Sequence, residues 1–208
     1  MKCFFDIETN SKEIYEAEII EAYFLLDRGE KYHFKSKIDN WSYDAQEIHN
    51  IDKSTMLTYP DKKQAYRDLL KWIGQFDIKE FICFANPNTM QGFMHFDLAV
   101  IKVQLYELAG THTLFYKYFN DNVTSVHTMA RKAAHKRYFT PIKRKSETGK
   151  MIQSLTQENV YLALFNEKYK NAHRADIDVK AMVKIYNELI RLDNETLDLF
   201  RQHWTNNT

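Results

Sequence analysis

Two carboxylates at the end of a predicted strand are the residues best suited to chemistry. Asp6 and Glu8 follow the apolar residues 3–5. Because side chains alternate along a strand, both would point to the same side of the sheet, a few ångströms apart. Such a pair is unfavourable unless a cation lies between the two charges, and hard oxygen ligands suit Mg²⁺ or Mn²⁺. An isolated Asp-x-Glu is more often solvated, so the pair needs further support.

Three further residues are candidates, and each also has an ordinary structural explanation. Asp97 opens a predicted helix, where an aspartate is a common N-cap. Asp178 stands at the start of a second predicted helix, where an acid complements the helix dipole. His173 precedes it by five residues and could be a surface loop histidine. None of the three indicates a site when taken alone.

The elements that must position these residues can be read from hydrophobic periodicity. Strands are predicted at 2–8, 18–26, 31–38, 80–85 and 123–126, and the second and third would form a hairpin. Helices are predicted at 64–76, 97–110 and 156–165, from about 178, and at 194–204. This pattern, which lacks repeats and linkers, predicts one mixed α/β domain over residues 1–208.

Composition narrows the class of protein. Of the 208 residues, 44% are hydrophobic and 14% aromatic, which argues against disorder. No apolar run approaches the roughly 18 residues of a membrane span, and the N-terminus has no signal-peptide pattern. Cys3 and Cys83 lie 80 positions apart in apolar stretches and are predicted to be buried thiols. We therefore expect a cytoplasmic, intracellular protein with no membrane partner.

Taken together, the candidate residues resemble the DEDD exonuclease superfamily. Asp-x-Glu on the first strand, Phe96-Asp97 opening a helix, and His173 five residues before Asp178 are similar to its DnaQ-like branch, called DEDDh. The sister branch has a tyrosine where this chain has Arg174. The likeness covers residues 2–192 and is greatest to proofreading-type exonucleases. One departure is that Gly92-Phe93-Met94-His95 stands shortly before Phe96-Asp97, where family members often carry His-Asn.

The resemblance implies a fold and a reaction. The fold would be RNase H-like, α/β, with a central mixed five-stranded sheet flanked by helices, and residues 194–204 would form a closing helix. The reaction would be 3′→5′ exonucleolytic hydrolysis of phosphodiester bonds, releasing nucleoside monophosphates with two Mg²⁺ or Mn²⁺ ions. Asp6 would bridge both ions, Glu8 and Asp178 would complete one site, and Asp97 would support the other. His173 would be the general base, because its reference pKa of about 6.5 suits that role.

Several residues are expected to bind a nucleic acid with a free 3′ end. Residues 131–150 contain eight Lys or Arg against a single acid, which favours a path for the phosphate backbone over an ordinary solvated surface. Aromatic side chains could stack on terminal bases or belong to the core. The predicted substrate-binding residues are Thr9, His49, Phe93, Phe96, Arg131, Lys136, Arg137, Lys143 and Arg144.

Two other functions are compatible with the same residues. An RNA-trimming exonuclease of this fold would use the same metal chemistry and differ in its contacts to the 2′-hydroxyl. A catalytically silent module that binds nucleic acid or a polymerase would usually have lost a motif acid, and all five motif residues are present here. We therefore expect an exonuclease, slightly favour DNA as its substrate, and leave open a polymerase or repair complex as partner.

Overall fold

The computed structural model describes residues 1–85, 95–119, 122–146 and 148–205, and describes side chains as far as residue 196. Phe93, one of the predicted substrate-binding residues, lies outside the described residues. The strands are β1 (Lys2–Thr9), β2 (Ile19–Leu26), β3 (Lys31–Lys35), β4 (Glu80–Cys83), β5 (Val123–Ser125), β6 (Ile142–Lys145) and β7 (Met151–Ser154). The helices are α1 (Tyr43–His49), α2 (Lys53–Met56), α3 (Lys62–Ile73), α4 (Phe96–Ala109), α5 (Thr113–Tyr118), α6 (Val126–His135), α7 (Gln157–Phe165) and α8 (Ala175–Thr205).

Five strands form a mixed sheet in the order β3-β2-β1-β4-β5. β1 pairs antiparallel with β2 and parallel with β4, and β4 pairs parallel with β5. The carboxyl ends of β1, β4 and β5 therefore meet at one edge of the sheet. In open α/β sheets, ligands bind at this edge.

The two faces of the central strand β1 pack against different helices. Cys3, Phe5 and Ile7 belong to a core cluster that includes residues of α3 and α4. Phe4, on the opposite face, belongs to a second cluster with residues of α6, α7 and α8. Because side chains alternate, Asp6 and Glu8 continue the Phe4 face and meet the α8 layer.

Helix α8 corrects one expectation from the sequence. Residues 194–204 were predicted to form a separate closing helix, but they are the last turns of a continuous helix that begins at Ala175. The polar residues 193–195 do not interrupt it, because a helix with one solvent-facing side tolerates polar residues there. Within the described residues, no helix combines the length and the apolar character that crossing a membrane requires.

The basic segment is divided between two elements. Arg131 lies on α6, which starts directly after β5, whereas Lys143 and Arg144 lie on β6. β6 and β7 form a separate two-stranded antiparallel hairpin that periodicity did not predict. Both cysteines are free and buried, which confirms that expectation.

Candidate active site

Three carboxylates from two distant parts of the chain meet at the carboxyl end of β1. Ligand oxygens of Asp6, Glu8 and Asp178 all lie within 4.8 Å of one another. Asp6 and Glu8 project from the α8 face of β1, and Asp178 projects from the first turn of α8, which packs on that face. We call these three side chains the carboxylate cluster.

Asp97 approaches the cluster from the other side of the sheet. It lies in the first turn of α4, whose Leu98 and Val100 are part of the α3–α4 core. Its carboxylate accepts a hydrogen bond from the Cys83 thiol at the end of β4. It is not among the oxygens gathered within 4.8 Å, although its charge acts on both Asp6 and Glu8.

The electrostatics show that these acids are unfavourable as bare anions. Burial, followed by the charges of Glu8, Asp97 and Asp178, raises the pKa of Asp6 well above its usual value. Burial and the same kind of repulsion raise the pKa of Glu8 to about 8, and burial raises the pKa of Asp97 to about 7. The pKa of Asp178 is also raised by burial. A bound cation would remove this penalty.

The donor set fits divalent metal ions. Carboxylate oxygens are the ligands that Mg²⁺ and Mn²⁺ prefer. In the described part of the chain, neither Asp6 nor Glu8 forms a salt bridge, so protein cations do not neutralise the pair. Asp6, Glu8 and Asp178 can hold a metal ion together, and Asp97 is available on the side of the α3–α4 core.

His173 lies at the mouth of the cluster, in the loop before α8. Its backbone adopts the left-handed conformation (φ 64°), which is uncommon for a residue other than glycine. Its ring is about half exposed, and Nε2 is 3.4 Å from Glu158 Oε1 at the start of α7. The backbone of His173 forms a hydrogen bond with the Asp178 carboxylate, which lowers the pKa of that carboxyl and holds the loop beside the cluster. The ring is therefore accessible to solvent and near the acids.

A cavity of about 480 Å³ adjoins Glu8 and contains two predicted substrate-binding residues, Thr9 and His49. The Thr9 hydroxyl donates to the carbonyl of Ser11 at 2.8 Å. His49 is buried, and its Nδ1 accepts a hydrogen bond from the backbone N–H of Ile51 at 3.0 Å. Phe96, by contrast, packs against the α3–α4 core.

The predicted basic residues are not equivalent in the structure. Lys136 donates to Asp193 at 2.6 Å, and Asp193 lies on α8, about 22 Å along the helix from Asp178. Lys143 and Arg144 are exposed and, within the described residues, form no salt bridge. Arg131 is exposed on α6, and Arg137 adopts a left-handed conformation just after that helix. Of the predicted basic residues, Lys136 is the one that forms a salt bridge within the described part of the chain.

Two residues near the cluster were missed by sequence reasoning. Tyr169 donates its hydroxyl to Asp178 Oδ1 at 2.8 Å. Glu21 lies beside Glu8 in the β1–β2 register and contacts His33 and Tyr59. A single acid within the apolar run of β2 was the signal that could have revealed Glu21. Tyr169, an aromatic residue between two lysines in a loop, gave a weaker one.

Comparison with known proteins gives matches in structure alone. No family model matches the chain, and no curated protein matches its sequence. E. coli exonuclease I in complex with a dT13 oligonucleotide aligns with a TM-score of 0.73 at 15% identity, over 97% of this chain and 43% of that one. The fold is RNase H-like. The prediction of an α/β protein with a mixed five-stranded sheet flanked by helices is thereby confirmed.

Two further structures of similar fold differ in TM-score and in the share of each chain that aligns. The zinc-bound form of an E. coli exonuclease I–single-stranded DNA complex aligns with a TM-score of 0.66 at 16% identity, over 98% of this chain and 42% of that one. Cell-death related nuclease 4 aligns with a TM-score of 0.63 at 13% identity, over 92% and 64%. The chain thus spans less than half the length of these exonuclease I structures. At such identities the likeness establishes the fold.

Proposed function

We propose that this protein is a metal-dependent 3′→5′ exonuclease that hydrolyses phosphodiester bonds and releases nucleoside monophosphates. The observation that carries the proposal is the carboxylate cluster, with Asp97 opposite it and His173 at its mouth. Structures of similar fold, bound to dT13 or to single-stranded DNA and zinc, support a nucleic-acid substrate and a metal requirement. We propose single-stranded DNA as the substrate on the same basis.

Each motif residue has a role that follows from its position. Asp6, Glu8 and Asp178 would hold Mg²⁺ or Mn²⁺ at the carboxyl end of β1, and Asp97 would complete the set of ligands. When bound, such ions lower the pKa of the attacking water and stabilise the leaving oxygen. His173 would accept the proton of that water, because its ring is exposed and lies beside the cluster.

The cavity beside Glu8 is the proposed site of the terminal nucleotide. His49 Nδ1 accepts the Ile51 N–H, and burial lowers the pKa of the ring, so the neutral ring carries its proton on Nε2. Nε2 has no hydrogen-bond partner within the described residues. Nε2 is buried behind the cavity wall, so it would donate to an oxygen of the nucleotide once binding exposes it, while Thr9 would contact the same nucleotide from the end of β1.

The basic hairpin is the proposed contact for the rest of the strand. The hydroxyl of its last residue, Ser154, accepts a hydrogen bond of 2.8 Å from Nδ2 of Asn159, which lies on α7. The same helix begins with Gln157 and Glu158, which contact Asp178 and His173. The hairpin is thus anchored next to the cluster, with Lys143, Arg144 and Lys145 exposed to solvent.

The test uses single-stranded DNA and RNA of one sequence, labelled at the 5′ end in one set and at the 3′ end in another. With Mg²⁺ or Mn²⁺, a 5′-labelled DNA should shorten one nucleotide at a time, and a 3′-labelled DNA should release its label at once as a mononucleotide. Asp6→Ala and EDTA should abolish both results. Asp77→Ala, which removes an exposed acid paired with Lys79, is the matched control and should leave the rate unchanged.

Each alternative has its own outcome. Shortening of RNA in preference to DNA would replace DNA with RNA as the substrate and leave the reaction intact. Immediate release of a 5′ label would reverse the polarity. Retarded mobility of either strand without cleavage, with both metals, would indicate a silent binding module and overturn the proposal.

A further inference from the structure

A tyrosine outside the sequence motifs is bound directly to one of the cluster acids. Tyr169 lies in the loop between α7 and α8, and its hydroxyl is 2.8 Å from Asp178 Oδ1. A phenol can donate and an ionised carboxylate can only accept, so the Tyr169 hydroxyl is the donor. The neighbouring Lys168 and Lys170 are exposed, whereas Tyr169 is half-buried and turns inward.

Two other contacts fix the position of this hydroxyl. The Tyr169 ring packs edge-on against the ring of Tyr161 on α7, with the centroids 5.0 Å apart. Gln157 Nε2 is 2.7 Å from the backbone carbonyl of Asp178 and 3.4 Å from the Tyr169 hydroxyl. The start of α7, the loop and the start of α8 are thus joined at one point, and that point is Asp178.

The consequence concerns the orientation of a carboxylate. A carboxylate can rotate about its terminal torsion, since that torsion has broad, shallow preferences. A donor on Oδ1 restricts the rotation and fixes how the group faces Asp6 and Glu8. Residues that orient metal ligands in this way typically change metal affinity or activity 10–100-fold when they are removed.

We propose that Tyr169 is a positioning residue for the metal ligand Asp178, and that its hydroxyl sets the affinity of the site for the divalent ion. The proposal rests on the metal site of the proposed function. A different role, anchoring the loop alone, would account for the same hydrogen bond without affecting metal affinity. The two roles predict different results for the isolated protein and its metal.

The experiment measures Mn²⁺ binding to the full chain without nucleic acid, by calorimetry or by electron paramagnetic resonance. Tyr169→Phe keeps the ring and removes the hydroxyl, and it should weaken Mn²⁺ binding by about 10–100-fold. Tyr161→Phe is the matched control, because the Tyr161 hydroxyl contacts Glu167 and Lys184 instead of the cluster. It should bind Mn²⁺ within twofold of the wild type. Gln157→Met, which removes the donor to both the Asp178 carbonyl and the Tyr169 hydroxyl but leaves the Tyr169–Asp178 hydrogen bond, should weaken binding by a smaller factor.

Nuclease assays supply a second readout. The Mg²⁺ concentration for half-maximal cleavage should rise in Tyr169→Phe by about the same factor, and saturating Mg²⁺ should restore most of the rate. Equal Mn²⁺ affinity in wild type and Tyr169→Phe would overturn the inference, and so would a loss of Mn²⁺ affinity in Tyr161→Phe as large as that in Tyr169→Phe. In either case, cleavage by the wild type would leave the proposed function intact. A wild type that neither binds Mn²⁺ nor cleaves would overturn both.

Discussion

The carboxylate cluster and the basic segment differ in how the chain holds them. Asp6 and Glu8 stand on the central strand and Asp178 on a helix packed against it, and all three are close together. The basic residues are exposed and are spread over the end of α6 and the β6–β7 hairpin. The acids are thus held by the central strand and a packed helix, while the basic side chains are exposed to solvent. We infer that substitutions in the first group change the rate of chemistry and substitutions in the second change binding.

The largest effect is expected from removal of the charge at the centre of the cluster. Asp6→Asn should lower kcat by at least about a thousand-fold, because metal ions contribute several kcal/mol to stabilising the transition state and 1.4 kcal/mol corresponds to a factor of ten. KM should change much less. Steady-state kinetics on a labelled oligonucleotide, with Asp77→Asn as the control, measure both. A loss confined to KM would contradict the assignment of the cluster to chemistry.

A smaller loss of kcat is expected when His173, the proposed general base, is replaced. His173→Gln should reduce kcat by about a hundred-fold, the lower end of the range for general bases, because solvent or buffer can reach the exposed site and replace it in part. Mn²⁺ affinity should stay at the wild-type value. His112→Gln, which changes an exposed histidine after α4, provides the comparison. If His173→Gln retained full activity across pH 6–9, the residue would have no role as base.

The basic hairpin should affect binding and its salt dependence. Changing Lys143, Arg144 and Lys145 together to Gln should weaken DNA binding by about tenfold near 0.1 M salt and reduce the slope of log affinity against log salt by about 2. Fluorescence anisotropy with catalytically inactive Asp6→Asn measures both quantities. The matched control changes Lys63, Arg67 and Lys71 on α3 to Gln, which removes the same charges elsewhere. Equal losses in the two triple variants would mean that net charge, and not the hairpin, governs binding.

The smallest effect concerns stability without metal. Burial raises the pKa of Asp97 to about 7 and that of Glu8 to about 8 in the folded chain, whereas in the unfolded chain these groups have their ordinary pKa values of 3.8 and 4.5. The native state therefore binds more protons between about pH 4 and pH 8, so the free energy of unfolding falls as pH rises through that window. Thermal melts in EDTA should show this fall, and adding Mg²⁺ should reverse it.

Glu8→Gln tests the origin of that pH dependence. Its melting temperature should fall less between pH 5 and pH 8 than that of the wild type, by a few degrees. Glu30→Gln, in the exposed turn before β3, should follow the wild-type curve. Identical curves for wild type and Glu8→Gln would remove Glu8 from the explanation.

Much of the scaffold could be predicted because periodicity records burial. The five strands of the sheet and helices α3, α4 and α7 follow the apolar pattern of the sequence. A polar residue directly after the apolar run of a strand, such as Asp6, marks the edge of the sheet. The continuity of α8 was missed because its solvent-facing residues carry no periodic signal near 193–195. The β6–β7 hairpin was missed because charged side chains occupy most of β6.

The sequence predicted only those residues of the site that belong to a recognisable motif. Asp6, Glu8, Asp97, His173 and Asp178 were selected by residue type and by resemblance. Tyr169 and Glu158 act through contacts between α7, the following loop and α8, and no local pattern records such contacts. Lys136 was grouped with the other basic residues of 131–150 because a count of charges ignores partners, and its partner Asp193 is 57 positions away.

The central position of β1 has a consequence for hydrogen exchange. Cys3 and Phe4, shortly before Asp6, pair with β2 on one side and β4 on the other, and flanking helices cover both faces, so exchange of their amides should require global unfolding. Amides of the loop that carries His173 can exchange through local opening. The slowest and some of the fastest amide protons of the molecule should therefore lie close to the same carboxylate cluster.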